Sequence, residues 1–164
     1  GGGGGGRWGG CRGGRGGGAG GGAGRSGESA VMRRDGQWAR DRFGQARVAR
    51  LATVSGDGSP HLVPMVFAVD GSRLISAVDA KPKSTNALRR LDNIAVNPLV
   101  RVVVDQYDAA WPRLWWARAD GWARVRDSYD LAPLVARYRQ YRSVPPAGPV
   151  ILIEVDNWAG WSAS

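Results

Sequence analysis

The 164-residue chain has a single cysteine and a single histidine. Cys11 lies in a glycine-rich stretch, so neither a disulfide framework nor a cysteine-based metal site can form in the part able to fold. His61 alone cannot build a multi-histidine centre, and the scattered aspartates have no ligand spacing, so no metal site is expected. His61 follows Pro60 at the start of a strand-like run, where a rim residue is the simpler reading than a catalyst. No run approaches the roughly 18 apolar residues of a membrane-spanning helix, and the N-terminus lacks the apolar segment of a secretory signal. A soluble, cytoplasmic protein with no membrane partner is expected. Also missing are a Gly-x-Ser-x-Gly elbow and a Gly-Lys-Ser/Thr phosphate loop. The run "GDGSP" is a turn without the rest of a dinucleotide fingerprint. Hydrolase and nucleotidase chemistry lose their support.

Glycine, by contrast, is abundant and unevenly placed: 18 of the 26 lie in residues 1–31. Almost nothing apolar is available there to bury, so this Gly/Arg-rich tail is expected to be disordered. Its Arg-Gly-Gly steps are of the kind found in RNA-associating segments. With only four arginines and Trp8 as its aromatic, a passive extension is the preferred reading, and nucleic acid is not the expected partner. Met32 stands just before the first foldable segment and near the expected functional start. Of the net charge of +9, the tail's four arginines and Glu28 supply +3, leaving +6 on residues 32–164. That surface suits an anionic ligand. At 43% hydrophobic content, one globular domain is expected.

Trp38, Ala39 and Phe43 in "DGQWARDRFGQA" are spaced for a short amphipathic helix. "RVARLATVS" and "HLVPMVFAVD" read as strands joined by "GDGSP", and a second turn, "VDGSR", leads into "LISAVD". "LVRVVVD" is a strand by its β-branched content. In "RLWWARADGWARVR", Asp120-Gly121 between alternating runs predicts another hairpin. Residues 128–142 look helical with a proline interruption, and "PVILIEVDNW" supplies the last strand. The pattern predicts a mainly β protein of about six antiparallel strands with two or three short helices, an antiparallel sheet or barrel. The tryptophans, Trp111, Trp115, Trp116, Trp122, Trp158 and Trp161, suit a core or an interface, with one or two beside a planar ligand.

The segment "KPKSTNALRRLDN", residues 81 to 93, interrupts the strands. Leu88, Leu91, Ile94 and Ala95 are spaced for one buried helical face, and Asn97-Pro98 ends the helix. A helix beginning near Ser84 would be capped by that hydroxyl and would present free backbone N–H groups to an anion. Lys81 and Lys83 lie just before that end, with Ser84 and Thr85 hydroxyls beside them. Together they make a predicted phosphate site. Arg89 and Arg90 fall off the apolar stripe, either as a wet face or as an extension of the positive surface.

At this point the residues carry a resemblance. "ARVARLATVSGDGSPHLVPMVFAVDG", "AVDAKPKSTNALRRLDNIAVNPLVRVVVDQYD", "WPRLWWARADGWARV" and "GPVILIEVDNWAGWSAS" resemble the pyridoxamine 5'-phosphate oxidase-like split β-barrel superfamily. More narrowly they are similar to its PPOX-class F-420-dependent oxidoreductases, the flavin/deazaflavin oxidoreductase group. The resemblance runs from about residue 38 to the C-terminus. It implies a six-stranded, FMN-binding-like split barrel that forms a homodimer with two cofactor sites at the subunit interface. Carried over by motif, Val63, Pro64 and Met65 would lie along the cofactor ring. Lys81, Lys83, Ser84 and Thr85 would grip the phosphate, with Arg89 and Arg90 as further contributors. The C-terminal Arg- and Trp-containing substrate segment of true pyridoxamine-phosphate oxidases is replaced here by "NWAGWSAS", which argues against vitamin B6 oxidation. The implied function is hydride transfer between coenzyme F-420 and a small organic substrate. The alternatives are an FMN-dependent oxidoreductase of the same fold and a non-catalytic F-420- or flavin-binding protein. No side chain stands out as a catalytic acid.

Overall fold

The computed structural model describes residues 32–79 and 86–164. The glycine-rich tail lies outside them. Eight strands and four helices follow one another: β1 (Met32–Arg34), α1 (Gly36–Gln45), β2 (Ala49–Val54), β3 (Pro60–Met65), β4 (Ala68–Asp70), β5 (Arg73–Ala77), α2 (Asn86–Val96), β6 (Leu99–Gln106), β7 (Trp115–Arg126), α3 (Ala132–Arg137), α4 (Arg139–Ser143) and β8 (Val150–Ser162). All strand pairs are antiparallel, in the order β3-β2-β6-β7-β8-β5-β4, with β1 added on β8.

The two ends of that path, β3 and β4, are consecutive in the chain and separated only by Val66 and Phe67. The sheet therefore bends back on itself as an antiparallel split barrel. Counting β3 and β4 as the single run that the sequence suggests gives the expected six long strands, and β1 is a short addition. Inside lie Leu51, Phe67, Leu74, Val100, Val102, Val104, Ile151 and Ile153, all essentially inaccessible to solvent. Helix α1 starts where the Asp35 carboxylate accepts the Trp38 N–H at 2.8 Å, an N-cap. It packs Phe43 edge-on against Phe67 and Trp158, at 5.6 and 5.0 Å between ring centres. A second apolar cluster on the outer face of β5 and β8 is covered by α3 and α4 through Leu134, Tyr138 and Tyr141.

Two expectations are corrected. Asp120-Gly121 is not a hairpin turn; β7 runs straight through it for 12 residues beside β8. The register shifts there, Asp120 facing Asn157 and Gly121 facing Val155, so Asp156 is the extra residue of a bulge. Glycine is required because a Cβ at position 121 would sit 2.0 Å from the Glu154 carbonyl oxygen. The local pair of residues looks like a turn, but long-range pairing on both sides of β7 overrides it. Likewise, Pro133 does not interrupt a helix. It sits in the first turn of α3, where a missing N–H costs nothing. The break falls instead at Tyr138, whose backbone is extended.

Tyr138 breaks the helix because its hydroxyl is needed elsewhere. It accepts the Phe67 N–H at 3.0 Å and lies 2.7 Å from the Phe67 carbonyl and 2.8 Å from that of Arg47. Phe67 is where β3 turns into β4, so these bonds supply pairing that the ladder lacks. Removing only that hydroxyl, in Tyr138→Phe, leaves buried backbone groups unpaired and should cost about 1–3 kcal/mol by urea denaturation. A loss below about 0.5 kcal/mol would remove Tyr138 from this role.

Candidate functional site

The bend at Val66 opens a cleft of about 300 Å³ at the rim of the barrel. Val48, Pro64, Met65 and Val66 line one side, Ser76, Ala77 and Asp79 come from the end of β5, and Arg90 comes from α2. Pro64 faces outward in register with Arg50, and Met65, the last residue of β3, is buried. Helix α2 is held over the cleft by Asn93, whose amide donates to the Thr53 hydroxyl at 3.0 Å with both side chains buried. Arg90, one turn before Asn93, is thereby fixed toward the interior.

Arg90 is 9% exposed, and its Nε has no hydrogen-bond partner among the described residues. Burial lowers its pKa, while the negative charge of Asp79 and the Tyr141 ring oppose that shift. The guanidinium stays charged all the same. Asp79 is engaged by a different group: the Tyr141 hydroxyl donates to its Oδ1 at 2.6 Å. Burial and that hydrogen bond raise the Tyr141 pKa, so the phenol keeps its proton and goes on donating. The result is a buried guanidinium that lines the cleft and whose Nε lacks a partner among the described residues. That arrangement is costly when empty and favourable toward an anion.

A second cavity, about 640 Å³, adjoins the cleft and shares Val66 and Asp79 with it. It is bounded by Tyr141 and Pro146 at its floor and by Gln140, Ser143, Val144 and Pro145 at its rim.

Residues 37–162 match the sequence profile described as pyridoxamine 5'-phosphate oxidase. The chain belongs to that family. The antiparallel barrel is the family's fold, and the family includes flavin-binding oxidoreductases. No curated protein matches the chain. Solved structures similar to it include a conserved hypothetical protein from Mycobacterium tuberculosis, at 20% identity and a TM-score of 0.61, covering 81% of this chain and 87% of that one. An FAD-binding protein from Mesorhizobium loti gives 20% identity and 0.59, covering 82% and 99%. An FAD-binding protein from Mycobacterium smegmatis gives 16% and 0.55, covering 80% and 97%. At these identities the likeness is one of fold.

Within this oxidase-family barrel, three of the residues predicted from sequence, Pro64, Met65 and Arg90, meet at the cleft. Val63 does not; it alternates inward beside Leu51 and packs on the main core. Arg89 is exposed and lines no part of the cleft. Lys81, Lys83, Ser84 and Thr85 lie outside the described residues. Arg90 as a possible wet face is corrected: Arg90, Asn93 and Ile94 form the buried side of α2, while Ala95, expected there, is exposed. The polar members are accommodated because Thr53 satisfies one and the cleft receives the other. None of the predicted tryptophans lines either cavity; Trp158 packs on the core, whereas Trp111 is largely exposed and Trp122 about half exposed. His61 is half-buried on β3, opposite Thr53. Sequence reasoning missed Val48, Ser76, Asp79 and Tyr141. The first three end or begin strands without any motif, and the Tyr141–Asp79 bond spans 62 residues.

Proposed function

We propose that the protein is an oxidoreductase using coenzyme F-420, with FMN as the alternative cofactor, and that the Arg90 cleft holds the cofactor's phosphate end and ring edge. The single observation behind this reading is the buried Arg90 guanidinium, without a partner at Nε among the described residues, lining a cleft at the bend of an oxidase-family barrel. Such a donor fits a phosphate oxygen. Pro64 and Met65 offer apolar surface to a flat ring, and Ser76 adds a hydroxyl beside it. When bound, the deazaflavin or flavin supplies two-electron chemistry. The chain's own groups bind and orient it and shield one side from water. F-420 carries more negative charge beyond its phosphate than FMN, and the exposed guanidinium of Arg89, one residue from Arg90, suits that excess. FMN is favoured by a different observation, the FAD-binding relatives of similar fold.

Titrating the purified protein with F-420 and FMN in parallel tests the choice. The F-420 reading expects saturable binding with at least tenfold preference over FMN. Reversed preference establishes the FMN reading, and binding of neither removes both. Turnover of a panel of quinones, enones and nitroaromatics separates an enzyme from a carrier.

In this reading Tyr141 keeps Asp79 from neutralising Arg90. Tyr141→Phe should weaken cofactor binding about fivefold to tenfold, because the freed carboxylate can turn to the guanidinium. Adding Asp79→Asn should restore the affinity. If the double variant binds no better than Tyr141→Phe, Asp79 is not the competing group.

The small organic substrate is proposed to reach the cofactor in a homodimer. Leu62, Leu99 and Trp122, 63%, 44% and 46% exposed, share the outer face of the β3-β2-β6-β7 sheet with Pro64 at the cleft mouth. The same face carries Arg50, Asp105, Arg101, Asp120 and Arg118 in ion pairs, and a second copy on it would close the cleft from outside.

A further inference from the structure

A third cavity, between β1, α1 and the connection from β6 to β7, is lined by cations. We propose that it is an anion site separate from the Arg90 cleft, whichever cofactor that cleft holds, and that it takes a phosphate group, free or as the end of a small organic phosphate. The cavity has a volume of about 280 Å³ and is bordered by arginines from three separate segments: Arg34 at the end of β1, Arg42 in α1, and Arg113 in the turn before β7. Residues 1–31, which lead into β1, contain four arginines and the single acid Glu28, so the sequence entering the site is basic as well. Gathering like charges round one space costs energy that an anion returns.

Arg42 is the centre of the site. Its guanidinium carbon lies 4.9 Å from the ring centres of both Trp38 and Trp115, which meet edge-on at 6.0 Å. Two indoles thus fix the cation in place without using its hydrogen-bond donors. Only one of those donors has a partner among the described residues, Nη1 to the Gln45 Oε1 at 3.3 Å. Gln106, on the cavity wall, is oriented by the same indole: its Oε1 accepts the Trp115 ring N–H at 3.1 Å, which leaves its NH2 group to donate. Arg34 supplies charge more than donors, because its Nε donates to the Ser162 Oγ at 2.8 Å and its Nη2 to the Ser164 backbone oxygen. Arg113 stands 3.6 Å from Asp108, longer than a direct hydrogen bond, and its side chain is 71% exposed, so it is able to turn to an anion. Two guanidiniums with donors to spare and a neutral amide match the double charge and several oxygens of a phosphate. A carboxylate would leave one of the cations unmatched.

Inorganic phosphate and phenyl phosphate are the probes. Each is titrated into the full chain and followed by the NMR signal of the Trp115 indole N–H, identified by its loss in Trp115→Phe. Wild type and Arg90→Ala should both give a saturable shift with phosphate, since the Arg90 cleft is not needed for it. Arg42→Gln keeps a polar side chain between the two indoles and should weaken phosphate by about tenfold or more, the loss of a charge-assisted contact. Arg113→Ala, at an exposed position, should do the same with an unchanged thermal midpoint. Tighter binding of phenyl phosphate than of phosphate assigns an organic phosphate, and equal or weaker binding assigns the free ion. F-420 and FMN titrations should be unaltered in Arg42→Gln. No saturable shift with phosphate, the same shift with sodium chloride at matched ionic strength, or wild-type phosphate affinity in both variants overturns the proposal. Loss of cofactor binding in Arg42→Gln overturns it as well, because the cavity would then be the cofactor's own phosphate site.

Discussion

Arg90→Ala is expected to weaken binding of both F-420 and FMN by about 100-fold. A charge-assisted hydrogen bond formed away from solvent contributes roughly 1.5–3 kcal/mol, and 100-fold corresponds to about 2.7 kcal/mol. Both cofactors carry a phosphate, so both lose the contact. The same substitution removes a buried cation whose Nε lacks a partner among the described residues, and the free protein should therefore be no less stable than the wild type. That opposition, weaker binding with an undiminished thermal midpoint, separates a ligand-holding arginine from one that holds the fold. Arg89→Ala should cost F-420 more than FMN, since Arg89 is exposed and reaches only charge beyond the phosphate. An Arg90→Ala protein that binds both cofactors like wild type would remove the arginine from the site.

Gly121→Ala should destabilise the barrel by at least about 3 kcal/mol, near the upper end of overpacking costs. The added Cβ would stand 2.0 Å from the Glu154 oxygen and 2.9 Å from its carbonyl carbon, both backbone atoms that cannot rotate away. Relief would require moving β8 away from β7 at the bulge, across the most extensively paired strands of the sheet. Gly44→Ala is the control. Nothing lies within 4 Å of its Cβ position in α1, so the exchange should add about 0.5–1 kcal/mol, as expected for a helical glycine. Urea denaturation reads both. A loss under 1 kcal/mol at position 121 would mean that the bulge adapts freely.

The contrast between these two positions shows where the sequence is legible. Alternation in "RVARLATVS" and "LVRVVVD" is a local signal, and it identifies β2 and β6 because the buried residues, Leu51, Val102 and Val104, fall on one face. The glycine of Asp120-Gly121 has a local reading and a distant cause. Only the approach of Glu154 from β8 explains it, and that partner is 33 residues away. The site divides in the same way. Pro64 and Met65 were reachable by resemblance, and Arg90 was visible as a basic residue near a segment expected to bind an anion. Its burial was not, because an arginine on the inner side of a helix makes sense only once the cleft and the Asn93–Thr53 bond are in place. Asp79 and Tyr141 carry no motif; their pairing exists only where α4 crosses the end of β5.

The most direct measurement is a crystal structure of the protein with F-420 or FMN bound. The account predicts phosphate density at the Arg90 guanidinium, with the ring lying against Pro64 and Met65. Density instead in the cavity bordered by Arg34, Arg42 and Arg113, with no ligand group at Arg90, would contradict it.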